Sequence, residues 1–258
     1  MKTALVTGGA KRLGRAMVRY LAGRGFDVAI HYNGSGAEAD EVAAEARVLG
    51  VQAIALQADM LNEDEVRPLV ADAAEGLGRP LDLLVNNASI FEYDNIRTAT
   101  RESWDRHFES NLRAPYVLMQ EFARQAPQAD RSGGEPVARA LVVNMLDQRV
   151  RKLTPEFSSY TLAKMGLWAL TQTSAQGLAP DIRVNAIGPG PTLQGAHQSE
   201  SQFANQRAAT LLQRGADPDD ICAALGYLID AKAVTGQLIC VDGGQHLGWK
   251  TPDVRGVE

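Results

Sequence analysis

Short apolar runs alternate with amphipathic or alanine-rich stretches along the whole chain. The apolar runs predict strands at 5–7, 26–30, 51–56, 81–85, 140–144, 182–187 and 236–241. The stretches between them predict helices at about 13–23, 37–49, 62–77, 102–126, 159–178 and 217–228. Near-continuously apolar strands that alternate with helices are typical of a parallel sheet covered on both faces. The pattern therefore predicts one doubly wound α/β domain over residues 1–258, with a parallel seven-stranded sheet.

Composition narrows the class of protein. A chain of 258 residues with 45% hydrophobic content can bury a full core. The net charge of −5 disfavours a nucleic-acid or membrane-surface partner, and no run approaches the ~20 apolar residues of a membrane span. Cys222 and Cys240 show neither metal-ligand spacing nor a disulfide framework, and the N-terminus is interrupted by glycine too early for a signal peptide. We therefore expect a cytoplasmic protein with a small-molecule substrate and no metal.

The turn after the first strand is rich in glycine, with the sequence Thr-Gly-Gly-Ala-Lys-Arg-Leu-Gly at 7–14. Between a strand and a helix this pattern is typical of a phosphate site. Gly8 and Gly9 allow close backbone approach, Gly14 allows the helix to pack on the sheet, and the helix N-terminus attracts a pyrophosphate. The alternative is an ordinary connection between a strand and a helix.

The end of the second strand carries no acidic residue; it continues as His-Tyr-Asn-Gly-Ser at 31–35. An NAD site usually has Asp or Glu there, to bind the ribose 2′-hydroxyl. Arg12 stands in the turn that faces the same ribose, and a guanidinium can bind a 2′-phosphate bidentately. This favours NADP(H), with Arg12, Ser35 and His31 as phosphate contacts. For His31 the alternative is a local hydrogen bond.

Tyr160 and Lys164 are four residues apart in the predicted helix at 159–178, so they lie on one face. A lysine placed there can hold the phenol hydroxyl and ease proton transfer through a group whose free pKa is about 10. The same spacing also occurs by chance on solvated helices. Asp147, thirteen residues before Tyr160, adds a carboxyl group.

These motifs, with several others in the same order, resemble the classical short-chain dehydrogenase/reductase family over almost the whole chain. The further matches are Asp59 after the third strand, Asn-Asn-Ala-Ser at 86–89, Asn111, Pro189-Gly190 and Val-Asp-Gly-Gly at 241–244. The resemblance implies a Rossmann domain. It also implies that Tyr160 donates the proton, Lys164 binds the nicotinamide ribose and tunes Tyr160, and Asn111 holds a water of a proton relay.

The same resemblance implies contacts along the whole cofactor. Asp59 is expected to contact the adenine, Asn87 to stabilise the central strands beside the cofactor, and Thr192 to contact the nicotinamide carboxamide. The full implied set is Gly8, Lys11, Arg12, Leu13, His31, Ser35, Asp59, Met60, Asn87, Ala88, Ser89, Tyr160, Lys164, Pro189, Gly190 and Thr192. The alternatives are a polar contact within a helix for Asn111 and a simple turn for Pro189-Gly190.

Asp147 occupies the position at which the family usually has a serine that binds a substrate carbonyl. A carboxylate there would repel a developing oxyanion. Beside a C=N bond, an acid can donate a proton or bind a protonated ring. Together with Arg12 and Ala88-Ser89, this resembles the pteridine reductase branch, in which an aromatic matching Phe91 stacks on the pterin. The alternative for Phe91 is simple packing. Gly34 replaces a basic residue of that branch, which predicts weaker cofactor binding.

We therefore predict an NADPH-dependent reductase of a pteridine-like C=N bond, such as that of a dihydropterin or dihydrofolate, with Phe91, Asp147 and Tyr160 at the substrate. The alternatives are a carbonyl reductase of a 3-oxoacyl thioester, sugar or quinone, and a non-catalytic NADP-sensing protein. The resemblance also implies a homotetramer paired through the helices at 102–126 and 159–178. The polar segment 192–205 is predicted as a loop, within a substrate region at about 190–213. Residues 248–252 can close over the substrate or reach a neighbour.

Overall fold

The structure, a computed structural model, describes residues 2–195 and 198–250, and its centre is one sheet of seven parallel strands. The strands are β1 Lys2–Val6, β2 Phe26–Tyr32, β3 Ala53–Gln57, β4 Leu83–Asn86, β5 Ala140–Met145, β6 Ile182–Pro189 and β7 Leu238–Val241. Their order across the sheet is β3-β2-β1-β4-β5-β6-β7, so the winding direction reverses between β1 and β4. This is the doubly wound Rossmann fold that the sequence pattern predicts.

Helices cover both faces of the sheet. Within the described residues they are α1 Arg12–Gly23, α2 Gly36–Val48, α3 Glu63–Val66, α4 Leu69–Gly76, α5 Arg101–Phe108, α6 Ala114–Gln125, α7 Ser158–Gly177, α8 Glu200–Ala208 and α9 Pro218–Asp230. One apolar cluster packs α1, α2 and α9 on one face, and a second packs α4, α6 and α7 on the other. None of these helices has the length and apolar content needed to cross a membrane.

The two clusters explain why the strands are almost continuously apolar. Successive side chains of a strand point to opposite faces of a sheet. In β1, Val6 lies in the cluster with α1, whereas its neighbour Leu5 lies in the cluster with α6. Both residues are fully buried. A strand covered by helices on both faces therefore needs apolar residues at consecutive positions.

Two predicted helices are interrupted in the structure, in each case near a proline. The helix predicted at 62–77 divides into α3 and α4, because Pro68 between them has no N–H to continue the hydrogen-bond ladder. The helix predicted at 102–126 divides into α5, a π-helix at Glu109–Arg113 and α6. Pro115 cannot donate a backbone hydrogen bond to the carbonyl of Asn111, four residues earlier, so the regular ladder cannot continue there.

One helix lies in the segment predicted as a polar loop. Helix α8 begins after Ser199, whose side chain accepts from the backbone N–H of Gln202, while the side chain of Gln202 binds the backbone of Ser199 in return. This capping box favours a helix start. No residue of α8 is buried, so the segment lacks the apolar periodicity from which a helix is usually predicted.

Candidate active site

A cavity of about 410 Å³ opens at the carboxyl ends of the central strands, beside the reversal between β1 and β4. This is the usual place for a ligand in an open parallel sheet. The predicted site residues that line it are Gly8, Lys11, Arg12, Leu13, Asn87, Ala88, Ser89, Phe91, Asp147, Tyr160, Lys164, Pro189, Gly190 and Thr192. Met145, Leu146 and Leu193 also line it and were not predicted; the first two lie directly before Asp147, which is the only signal that the sequence offers for them.

Hydrogen bonds between the ends of β1 and β4 fix the glycine-rich turn. The side-chain amide of Asn87 donates to the carbonyls of Thr7, at 2.8 Å, and Gly8, at 3.2 Å. The Thr7 hydroxyl accepts from the backbone N–H of Asn87 at 2.8 Å. Gly8 has a φ of +61°, and a side chain on Gly14 would overlap the Gly8 carbonyl. Asn87 thus joins the central strands beside the cavity, in the position that the family resemblance implies.

The first turn of α1 offers unsatisfied backbone N–H groups to the cavity. Within the described residues, no side chain caps this helix and its first turn contains no acidic residue. Lys11, Arg12 and Leu13 at the helix start line the cavity. Free N–H donors at the positive end of a helix form a ready site for a phosphate or pyrophosphate.

His31 holds the glycine-rich turn by a hydrogen bond and does not line the cavity. Its Nδ1 accepts the backbone N–H of Gly8 at 3.0 Å, and its Nε2 lies 3.0 Å from the carbonyl of Ala58. The proton must therefore be on Nε2, and burial lowers the pKa of the ring, which keeps it neutral. Both nitrogens are used, so the structure shows the local hydrogen bonds that were the alternative to the predicted phosphate contact.

The other residues predicted near the 2′-phosphate and adenine have separate positions. Arg12 has a φ of +52°, and its guanidinium donates to the backbone carbonyls of Leu193, at 3.3 Å, and Gln194, at 3.0 Å. Ser35 precedes α2 at the end of β2, without a capping hydrogen bond. Asp59 and Met60 follow β3; Asp59 accepts from the backbone N–H of Leu61 at 3.0 Å, and Met60 is buried. Ser35, Asp59 and Met60 do not line the cavity, and their cofactor contacts remain predictions.

The predicted catalytic residues meet where β5 ends and α7 begins. The Tyr160 hydroxyl donates to Oδ2 of Asp147 at 3.1 Å, and Oδ1 of Asp147 accepts from the backbone N–H of Arg149 at 2.8 Å. Nζ of Lys164 donates to the carbonyl of Met145 at 2.8 Å and lies 5.7 Å from the centre of the Tyr160 ring. Lys164 therefore does not make the direct hydrogen bond to the phenol that the spacing suggested, and its positive charge acts on Asp147.

Burial dominates the titration of these three groups. Tyr160 and Lys164 are 5% and 2% exposed. Burial and the negative charge of Asp147 raise the pKa of Tyr160 well above its ordinary value. Burial lowers the pKa of Lys164 to about 8, although Asp147 opposes that shift. Burial also raises the pKa of Asp147, against the hydrogen bond from Arg149. Asp147 therefore holds a proton more readily than an exposed aspartate.

The side chain of Asn111, at the centre of the π-helix, is fully occupied by Ile90. Its amide donates to the Ile90 carbonyl at 2.8 Å, and its oxygen accepts the Ile90 N–H at 2.9 Å. This pair positions the segment that leads from β4 to Phe91. Pro115 leaves the backbone carbonyl of Asn111 without its regular helical donor, and the relay water at Asn111 stays a prediction.

Phe91 lies at the mouth of the cavity, between Tyr160 and a second aromatic ring. Its side chain is 53% exposed. The Phe91 ring packs edge-to-face on Tyr160 with the ring centres 4.7 Å apart, and it stacks on Phe157 with the ring centres 4.3 Å apart and the planes at 8°. Phe157 has a φ of +55° and directly precedes α7. No sequence pattern indicates Phe157, because its partner Phe91 is distant from it in the chain.

The substrate region after β6 is described in part. The Thr192 hydroxyl donates to the carbonyl of Gly190 at 3.1 Å. Residues 196–197 of the predicted loop lie outside the described residues, as do residues 251–252 of the C-terminal segment. Within the described part of that segment, Trp249 is exposed.

Comparison with known proteins identifies the family. A family model described as Enoyl-(Acyl carrier protein) reductase matches residues 8–246. The 3-oxoacyl-(acyl-carrier-protein) reductase FabG of Staphylococcus aureus is 31% identical over 251 residues, which cover 95% of this chain and 98% of that protein. The crystal structure of FolM alternative dihydrofolate reductase 1 from Brucella suis, in complex with NADP, superposes with a TM-score of 0.91 and 44% identity, covering 98% of each chain. The structure of a short chain dehydrogenase from Burkholderia cenocepacia in complex with NADP superposes with a TM-score of 0.86 and 32% identity, covering 95% of this chain and 97% of that chain. The chain therefore belongs to the short-chain dehydrogenase/reductase family of NAD(P)-dependent oxidoreductases, as its motifs predicted.

Proposed function

We propose that this protein is an NADPH-dependent reductase of a dihydropteridine-like C=N bond. The observation that carries the proposal is the carboxyl group of Asp147, 3.1 Å from the Tyr160 hydroxyl and on the wall of the cavity. Reduction of a ketone needs a donor that stays neutral at the developing oxyanion, and a carboxyl group that loses its proton there would destabilise that oxyanion. Reduction of a C=N bond needs a proton for the ring nitrogen, which a carboxyl group can supply. The similarity to FolM dihydrofolate reductase points the same way.

The cofactor is NADP(H), and this chain offers it a fitting site. The uncapped start of α1 and the close approach allowed by Gly8 and Gly14 suit a pyrophosphate. Lys11 is paired at the surface with Glu38, at 2.7 Å. Such an exposed pair is weak, so a phosphate can displace the glutamate. The NADP complexes of the Brucella and Burkholderia proteins support this assignment.

The residues at the reactive end then have distinct tasks. When bound, NADPH supplies a hydride for the carbon of the C=N bond. Asp147, whose pKa is raised by burial, gives a proton to the ring nitrogen. The Tyr160 hydroxyl donates a hydrogen bond to the Asp147 carboxylate that this transfer leaves, and the positive charge of Lys164 also stabilises that carboxylate. Phe91 presents a flat face at the mouth for the substrate ring.

A carbonyl reductase is the second candidate, and the similarity to 3-oxoacyl-(acyl-carrier-protein) reductase FabG favours it. Tyr160, Lys164 and Asn111 are compatible with either reaction. Only Asp147 separates them, because a serine at that position could hydrogen-bond a carbonyl oxygen without repelling it.

The test is an assay of NADPH oxidation with dihydrobiopterin, dihydromonapterin or dihydrofolate, and separately with a 3-oxoacyl thioester. Wild-type protein is expected to reduce a pterin, and Asp147→Ser to lose about 10²-fold or more of that rate, the typical contribution of a general acid. Tyr160→Phe serves as the control that removes the hydroxyl group on which both reactions depend. No turnover of any pterin, together with good turnover of the thioester that rises in Asp147→Ser, would favour the carbonyl reductase.

We also propose that the protein is a homotetramer in the cytoplasm, in which α6 and α7 meet their counterparts. A groove of about 470 Å³ between these helices is lined by Tyr116, Met119 and Leu170 among others, and Tyr116 is 40% exposed. Light scattering should give a mass about four times that of the chain. Thr173→Arg, in the groove, should lower it, whereas Gln172→Arg, exposed beside the groove, should not. Cell fractionation tests the compartment.

A further inference from the structure

An unbroken series of contacts runs from the catalytic tyrosine to a guanidinium at the surface. Phe91 packs on Tyr160 at 4.7 Å, Phe157 stacks on Phe91 at 4.3 Å, and Cζ of Arg149 lies 4.8 Å from the centre of the Phe157 ring. We call Phe91, Phe157 and Arg149 the outer strip. Tyr160 is almost fully buried and Phe91 is about half exposed, so the strip leads from the reactive end of the cavity outward.

The position of Arg149 is fixed by its neighbours, yet its charge has no carboxylate partner in the part of the chain that the structure describes. Its backbone N–H holds Asp147, and its Nη1 donates to the Thr154 hydroxyl at 2.8 Å. A guanidinium has five N–H donors, so several remain for a ligand. Glu92, the acid that follows Phe91 in the chain, is already paired with Arg106 at 2.8 Å.

We propose that Arg149 is a specificity-determining residue that pairs with a carboxylate at the far end of an extended substrate. This rests on the proposed function and deepens it. The pteridine ring lies beside Tyr160 and the free face of Phe91, an aromatic linker packs on the edges of the stacked Phe91 and Phe157 rings, and the carboxylate meets Arg149. The substrate class is then a folate-like pteridine with an aryl amide that ends in a carboxylate.

Physical chemistry favours that class over a pteridine with a short neutral side chain. The stacked rings of Phe91 and Phe157 present their edges, on which an aromatic linker can pack edge-to-face. A guanidinium gains most from a carboxylate, because the two can form parallel charge-assisted hydrogen bonds. A short neutral substituent would leave both features of the outer strip unused.

Arg149 also acts on the catalytic pair, and the experiment must separate the two effects. Burial raises the pKa values of Asp147 and Tyr160, and the positive charge of Arg149 opposes both shifts. Removal of Arg149 can therefore alter the chemical step as well as binding. A pair of ligands that differ in charge alone avoids this problem, when binding is measured without turnover.

The probes are folate and its diamide, in which both carboxylates are amides of almost the same shape. Calorimetry on the NADP⁺-loaded protein is expected to show that the wild type binds folate about tenfold more tightly than the diamide. Arg149→Gln should reduce that ratio to about one. Arg151→Gln makes the same change in charge two residues away, where the guanidinium lies 5.4 Å from the Trp168 ring, and should keep the wild-type ratio.

Equal binding of the two ligands by the wild type would overturn the assignment of Arg149. So would an Arg149→Gln variant that keeps the preference, or one that weakens both ligands equally while leaving their ratio unchanged. A wild type that reduces dihydrobiopterin but shows no preference contradicts the role of Arg149 alone. A wild type that neither binds nor reduces any pterin contradicts the proposed function, and this inference with it.

Discussion

Burial acts on Asp147, Tyr160 and Lys164 in one common direction: it disfavours the charged form of each. The carboxyl and phenol hold their protons more tightly, and the ammonium holds its proton less tightly. The pKa values of Asp147 and Lys164 thereby move towards each other, whereas those of Tyr160 and Lys164 move apart. For the reduction of a C=N bond that we propose, the raised pKa of Asp147 keeps available the proton that the ring nitrogen needs.

The pKa of Lys164 leads to a prediction about stability at alkaline pH. Its pKa is about 8 in the folded protein against 10.5 for a free lysine, so between these values the unfolded chain binds more protons. Stability contributed by Lys164 must then rise as pH increases from about 8 to 10.5, by up to about 3 kcal/mol. Urea unfolding at pH 8 and 10 should show this rise in the wild type, relative to a smaller one in Lys164→Met.

Lys152→Met is the control for that comparison, because Lys152 is exposed. This variant should follow the wild-type dependence on pH. If Lys164→Met and the wild type change in parallel between pH 8 and 10, burial does not lower the pKa of Lys164 as described.

At the scale of elements, the site depends on how closely the start of α1 approaches β1 and β4. Asn87 ties the two strands, His31 supports Gly8 from β2, and the absence of a side chain at Gly14 lets α1 pack against the turn. Four elements thus determine the conformation of the glycine-rich turn. The glycine pattern is visible in the sequence, but the support from His31 is not.

Gly14→Ala tests this close approach. The added Cβ would overlap the Gly8 carbonyl and lie 2.8 Å from Nδ2 of Asn87, so the backbone must move. We expect a loss of about 1–3 kcal/mol in the free energy of unfolding, the usual cost of overpacking, and at least tenfold weaker NADP⁺ binding. Urea unfolding and calorimetry measure the two effects.

Gly23→Ala on the same helix is the matched control, because nothing lies within 4 Å of its Cβ position. It should be neutral or stabilise the protein by about 0.5–1 kcal/mol, since alanine favours a helix. Equal behaviour of the two variants would show that the approach of α1 to the turn is not limiting.

A second group of contacts joins α5, α7 and the segment after β4. Nε2 of His107 accepts the backbone N–H of Glu92 at 3.1 Å, and its Nδ1 lies 2.7 Å from the Ser159 hydroxyl, which binds Asp94. These roles require the proton on Nδ1, so that the ring donates to Ser159. These hydrogen bonds fix the segment that follows Phe91 next to the start of α7.

At the scale of the whole molecule, two histidines in different layers make the free energy of unfolding depend on pH. Burial lowers the pKa values of both His31 and His107 in the folded protein. Below about pH 6.5 the unfolded chain therefore binds more protons, and the free energy of unfolding must fall as pH decreases through the folded pKa values. Urea unfolding between pH 7.5 and 5.5 should show this fall.

His107→Leu should make the dependence on pH shallower and also lower stability at pH 7.5. The Ser159 hydroxyl and the Glu92 N–H lose their partner, at a typical cost of about 1–3 kcal/mol for each buried unsatisfied group. A variant with the wild-type slope between pH 7.5 and 5.5 would exclude His107 as one of the groups that link stability to pH.

The sequence by itself determined the strands, the sheet class, the family and most residues of the cavity. These follow from local order: apolar runs, glycine spacing, and side chains that come directly after strands, which all reach one edge of a parallel sheet. Tyr160 and Lys164 could be paired from helical spacing alone.

Only the tertiary structure decided what each of these groups contacts. It directs His31 to a backbone N–H instead of a phosphate, Lys164 to the carbonyl of Met145 instead of the phenol, and Arg149 to the outer strip. The physical reason is that partners and burial depend on residues distant in the chain. The pKa shifts at the site, and with them its chemistry, arise from that burial and not from the motif.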